Sequence, residues 1–182
     1  MPSSLLLACL LLAPAPPASA PNQAPSAAPA APAPDPFAGL RFLLGEWVAG
    51  AGGGAPGEAT GGGFTFVSDL DGRVAVRRSF SDYAPRPGEA TGVHHEDLTV
   101  VHATPAGLRA TSWDNEGHVI EYGVTTSPGR AVFESAAGGP GPRFRLAYQQ
   151  EAPGEVSVTF SIAPPGGEFR PYVSGTARRR GG

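Results

Sequence analysis

The sequence predicts an all-β protein, an antiparallel up-and-down barrel of about ten strands entered through one short N-terminal helix. Three observations carry this. From Trp47 onward apolar residues recur at alternate positions, the period of a strand with one covered face. Turn signals separate these runs at short intervals: Asp71-Gly72, Asn115-Glu116-Gly117, Pro128-Gly129 and Pro153-Gly154. Only residues 37–44 show helical spacing, with Phe37, Leu40, Leu43 and Leu44 on one side behind the capping signal Asp35-Pro36.

The elements follow in chain order. A short helix is expected at 37–44, then strands near 46–52, 60–70, 73–83, 93–103, 107–114, 118–126, 130–136, 143–151, 155–163 and 168–178. Ten short strands in a meander leave two unpaired edges unless the sheet closes on itself, so a barrel is preferred to a two-sheet sandwich, and the helix is placed to plug one end. Eight strands leave room for packed side chains or one small ligand, so ten imply a somewhat wider lumen.

Length and composition agree with one folded domain behind a different kind of polymer. Of 182 residues, 26 are Gly and 21 are Pro, yet ten of the prolines and none of the glycines precede residue 37. Residues 5–13 read LLLACLLLA, an apolar run of signal-peptide length that falls short of the roughly 20 residues of a membrane span. Ala18-Ser19-Ala20 then offers a small-x-small cleavage site, so residues 1–20 are read as a signal peptide and the domain as exported, periplasmic or extracellular. Leu6-Leu7-Ala8-Cys9 also resembles a lipoprotein box, the less favoured anchor because an apolar run continues after Cys9. Residues 21–36 alternate Pro and Ala and form a spacer too poor in apolar bulk to fold. All 13 basic residues are arginine, which we read as the codon usage of a GC-rich, bacterial genome.

Charge and cysteine content narrow the function classes. A net charge of -3 removes the basic surface that phosphate neutralisation requires, which sets nucleic acid aside. The single cysteine, Cys9, precludes an internal disulfide, a thiolate metal cluster and a cysteine nucleophile in the domain. No phosphate loop, hydrolase elbow or zinc-protease helix is present, and the Gly50–Gly54 and Gly61–Gly63 runs open no helix.

Candidate site residues come from strand parity. Val74, Val76 and Phe80 make the apolar face of 73–83 and would carry Arg78 into the lumen with them. Ile120, Tyr122 and Val124 face inward on 118–126, with His118 at the strand end. Phe144, Leu146 and Tyr148, then Val156, Val158, Phe160 and Ile162, make further inward stripes. The hairpin at Asn115-Glu116-Gly117 pairs either Asp114 or Trp113 with His118, according to loop length. His94, His95 and His102 stand beside Glu96 and Asp97, but alternate positions of one strand supply too few converging ligands, so no metal is expected. Recognition of a carboxylate or phosphate ligand by Arg78 competes with a simple buried ion pair to Glu96, Asp97, Asp114 or Glu121. Arg178-Arg179-Arg180 reads as a solvated tail.

These residues support a small, largely apolar or amphipathic ligand held by Arg78, Trp113, His118 and Tyr122. Two other readings stay open. One is an isomerase or hydrolase of a lipophilic substrate, with His118 as general base oriented by Asp114 or Glu121. The other is an envelope scaffold with a filled barrel.

Phe42-Leu43-Leu44-Gly45-Glu46-Trp47, followed by a Gly-rich turn, resembles the opening of nitrobindin and related lipocalin-like barrels. His95-Glu96-Asp97-Leu98, Trp113 to Ile120 and Gly175-Thr176-Ala177-Arg178 resemble an uncharacterised family of secreted bacterial domains with that barrel. The likeness spans residues 37–180 and implies the fold, but the family lends no activity. Nitrobindin-type proteins hold haem iron through a histidine near the C-terminal strands. Here no histidine follows His118, and Gly50 and Gly52 are displaced by one position from the pattern, so the resemblance implies no haem; His118 would be the first candidate ligand.

Overall fold

A computed structural model of the chain describes residues 35–50, 59–136 and 140–181. The expected signal peptide, Cys9, nearly all of the expected spacer and most of the Gly50–Gly54 run lie outside the described residues. Ten strands form one closed antiparallel barrel: β1 (Gly45–Ala49), β2 (Ala59–Asp69), β3 (Val74–Tyr83), β4 (Val93–Thr104), β5 (Gly107–Asp114), β6 (Val119–Ser127), β7 (Arg130–Ser135), β8 (Arg143–Ala152), β9 (Glu155–Ala163) and β10 (Arg170–Arg179). Each strand pairs with its sequence neighbours, and β10 returns to β1 through Trp47↔Arg179 and Ala49↔Ala177. Closure removes both free edges, which is the physical reason the barrel wins over the sandwich.

The expected helix is a single 3-10 segment, Ala38–Leu43. Asp35 belongs with it: its carboxylate accepts the Phe37 N–H at 2.9 Å and pairs with Arg41 at 2.7 Å. The segment plugs one end of the barrel, burying Leu40 and Leu43. Gly39 permits this approach, because a Cβ there would stand 2.2 Å from the Thr126 hydroxyl oxygen at the end of β6. Trp47 donates its indole N–H to the Leu43 carbonyl at 2.7 Å. Arg179, at the end of β10, donates to the carbonyls of Leu44 and Phe42 and lies over the Trp47 ring. Arg179 is therefore structural, a correction to the solvated tail, whereas Arg178 and Arg180 stay largely exposed and make surface pairs with Glu155 and Glu46.

Above the plug the lumen is filled. Tyr148 is the hub of a ring cluster, 5.4 Å from Phe64, 5.8 Å from Phe66 and 6.0 Å from Phe133 between centroids. Trp47 stacks on Phe64 at 5.7 Å and Tyr122 meets Phe133 edge-on at 6.2 Å. Such edge-to-face contacts add about 0.5–1.5 kcal/mol per pair beyond burial, so this layer forms a rigid floor.

Candidate functional site

The end opposite the plug carries the β5–β6 hairpin, the start of β4 and the end of β3. Its side chains are set by register. Phe66 points inward in β2 and pairs with Arg77, so Arg77, not Arg78, enters the lumen. Arg78 pairs with Thr65 and Leu98 on the outer wall and is exposed, which corrects the expected orientation. The apolar stripe Val74, Val76 and Phe80 faces outward with it. Hydropathy pointed the wrong way because the lumen contains a polar layer while this part of the outer wall is apolar.

Arg77 is buried and its guanidinium binds the Asp97 carboxylate; the two side chains are only 9% and 15% exposed. Asp97 also accepts the hydroxyl hydrogens of Ser79 and Thr99, and Thr99 bonds Ser112 at 2.9 Å between hydroxyl oxygens. Burial alone would weaken the Arg77 charge, but Tyr148 and Asp97 outweigh it and hold the guanidinium more firmly protonated than usual. The same burial raises the Tyr148 phenol to about 12 and the Tyr122 phenol further, against the opposing pull of Arg77. Both phenols are therefore neutral. Arg77 Nε and the Tyr148 hydroxyl are buried beside one another without a hydrogen bond of good geometry.

Toward the mouth the inward residues separate into two halves. On β3–β5 they are polar: Ser79, Asp97, Ser112 and Asp114, with Asp97 directly opposite Asp114 across the strand pair. On β6, β8 and β9 they are apolar: Ile120, Phe144, Leu146, Val158 and Phe160. These apolar side chains are half-buried, in contrast to the fully buried floor beneath them. The inward side chains above the floor thus divide into a polar half on β3–β5 and an apolar half on β6, β8 and β9.

At the rim three histidines each meet a carboxylate. His118 Nδ1 stands 2.8 Å from Asp114, which also accepts the backbone N–H groups of Glu116 and His118. These bonds pull Asp114 below the ordinary carboxylate range despite partial burial, which acts in the opposite direction. The three-residue loop pairs Asp114 with His118 and leaves Trp113 opposite Val119, resolving the register. His94 lies 2.6 Å from Asp82 and 3.3 Å from Glu96, and the hydrogen bond to Asp82 raises its pKa above the usual histidine value. His95 meets Glu116 at 3.3 Å. Among the described residues these groups do not converge into a metal site.

Of the four residues expected to hold a ligand, Tyr122 alone lies in the lumen. Trp113 is on the outer wall, 43% exposed, because it is one residue out of phase with the inward Ser112. His118 is on the rim, with its side chain 63% exposed. Sequence reasoning missed Arg77, and the Asp71-Gly72 turn held the signal: centring a hairpin there and turning Phe66 inward sets Phe66 opposite Arg77. Two hollows lie on the outer wall among the described residues. One, of about 370 Å³, lies where Arg143 and Arg145 pack on Phe169; the other, of about 430 Å³, lies across β5–β7.

No protein-family model and no curated protein matches the sequence. Among solved structures the barrel resembles Rv2717c from M. tuberculosis, with a TM-score of 0.53 and 10% identity over 80% of this chain and 97% of that one. At that identity the likeness is one of fold.

Proposed function

We propose that this protein is an exported binding barrel that takes a small amphipathic molecule at its open end. The observation that carries the reading is the division of the inward side chains at this end into a polar half and an apolar half above a filled floor. Apolar body and polar group of a ligand would lie on opposite walls, the first against Ile120, Phe144, Leu146 and Phe160, the second toward Ser79, Ser112 and the Asp97–Asp114 pair. A wholly apolar ligand would cover the polar half without offering it a hydrogen bond, which favours the amphipathic member of the two expected ligand classes. Export rests on the apolar run at 5–13 and Ala18-Ser19-Ala20. The relation to secreted, nitrobindin-like or lipocalin-like barrels belongs to the same proposal and is supported by the ten-strand closure.

An enzymatic reading has one specific observation in its favour, the His118–Asp114 contact at 2.8 Å on an open rim. The Asp114 carboxylate is also the staple of its own turn, which explains the contact without a reaction.

Native mass spectrometry of the exported protein, with a neutral solvatochromic dye as a second probe, tests the binding reading. A co-purifying mass, or saturable dye fluorescence, that Phe144→Glu and Ile120→Glu remove and the outer-wall variant Val132→Glu retains is the expected result. A bare mass with no saturable dye binding overturns it.

A further inference from the structure

The outer wall of β2–β6 carries an unusual feature. Side chains at paired positions share a face, so the register lays out two adjacent outward rows. One runs Thr65, Arg78, Leu98, Trp113, Val119, and the next runs Val67, Val76, Val100, Thr111, Glu121. Six of these ten are large apolar residues, with Val67 at 49%, Trp113 at 43% and Val119 at 60% exposure. A lone exposed valine needs no explanation, but a contiguous apolar face does.

Two charges stand on this face, Arg78 on β3 and Glu121 on β6. Among the described residues neither makes an ion pair or a side-chain hydrogen bond. They lie three strand spacings and two residue rows apart, at opposite corners of the apolar centre formed by Leu98, Val100 and Trp113. A two-fold axis in the plane of the wall, crossing midway between them, sets Arg78 of one copy on Glu121 of the other and repeats the contact in reverse. The face is thus its own complement, as a two-fold interface must be.

We propose that this wall is a self-association surface, and that the protein forms a two-fold dimer through Leu98, Val100 and Trp113 flanked by two Arg78–Glu121 pairs. Five strands and two rows cover roughly 300 Å², well under the ~800 Å² per partner of a standard stable interface. The dimer is accordingly weak and concentration-dependent. It leaves the mouth uncovered and is independent of what binds there.

Sedimentation velocity of the full chain, from micromolar to millimolar concentration, tests this. The expected result is a reversible shift toward twice the 18.5 kDa of one chain. Trp113→Glu, an exposed position whose change leaves the core untouched, weakens the dissociation constant by about tenfold or more. Arg78→Glu and Glu121→Arg each weaken it, and the double variant Arg78→Glu/Glu121→Arg restores it to within about threefold, since the swap rebuilds both pairs. A chain that stays monomeric throughout, or a dimer indifferent to Trp113→Glu, overturns the proposal. So does a double variant as weak as the single ones. A monomer that instead binds phosphatidylcholine/phosphatidylglycerol vesicles through Trp113 also overturns it and assigns the wall to a membrane surface.

Discussion

Removing the Asp97 carboxylate is the most informative single perturbation of this barrel. Asp97→Ala leaves the Arg77 guanidinium in a site where its side chain is 9% exposed and strips the acceptor from Ser79 and Thr99. A buried charge that loses its partner costs about 3–5 kcal/mol, and the two hydroxyls can turn to other acceptors, so the lower half of that range is expected. At roughly 2–4 °C of melting temperature per kcal/mol for a domain of this size, the midpoint falls by about 10 °C. Replacing both partners with apolar side chains, Arg77→Met with Asp97→Leu, removes the unpaired charge and lands within about 1 kcal/mol of the parent. Equilibrium unfolding in urea, followed by the emission of buried Trp47, measures Asp97→Ala and the four corners of the cycle formed by the parent, Arg77→Met, Asp97→Leu and their double variant, at an unchanged denaturant slope. If Asp97→Ala costs less than about 1 kcal/mol, or if the double variant costs as much as the two single ones added, the reasoning from a desolvated pair fails.

Three further outcomes follow from the geometry. Gly39→Val drives a side chain into Thr126 and destabilises by about 2–3 kcal/mol, with partial recovery in Thr126→Gly, as thermal melts will read. Arg179→Ala frees the carbonyls of Phe42 and Leu44 and costs about 2 kcal/mol, with faster hydrogen exchange at the plug, whereas Arg178→Ala removes only a surface pair and costs under about 1 kcal/mol. His94 titrates by NMR above the usual histidine value, and Asp82→Asn brings it down. Because the folded-state pKa is the raised one, the His94–Asp82 contact stabilises fully below the unfolded-state pKa and is lost as pH climbs through the folded one.

Strand positions were legible in the sequence because two independent signals agreed, period-two hydropathy inside each run and Gly, Asn or Asp at each end. Predicted strands and the observed ones differ by no more than about three residues at any end, within ordinary boundary scatter. Which face of β3 turned inward was not legible from hydropathy. Val74, Val76 and Phe80 are more apolar than Ala75, Arg77 and Ser79, yet the second set faces the lumen, since Arg77 is neutralised there and the first set covers an exterior wall. Tyr122 was placed correctly because β6 has one unambiguous apolar face. Trp113 lies on the outer wall and His118 on the rim, positions that aromatic and titratable character could not give because neither says anything about phase along a strand. Arg179 shows the converse error, charge near a chain end read as solvation when the plug needed it, while its neighbours Arg178 and Arg180 are solvated as expected.

The pairing of β10 with β1 also governs when this protein can become a protein. Arg179 bonds Leu44 across 135 positions of chain, so the ring has no stable partial form that lacks its last strand. Until β10 arrives, β1 and β9 both present open ladders, and the plug lacks the arginine that holds it down. Closure of so distant a contact is slow compared with hairpin formation. During synthesis the chain therefore spends its waiting time as a row of hairpins with two adhesive margins. A product that stops short of Arg170 will accumulate as aggregate, while one that reaches Arg179 will not, and the interval between those two fates is ten residues long.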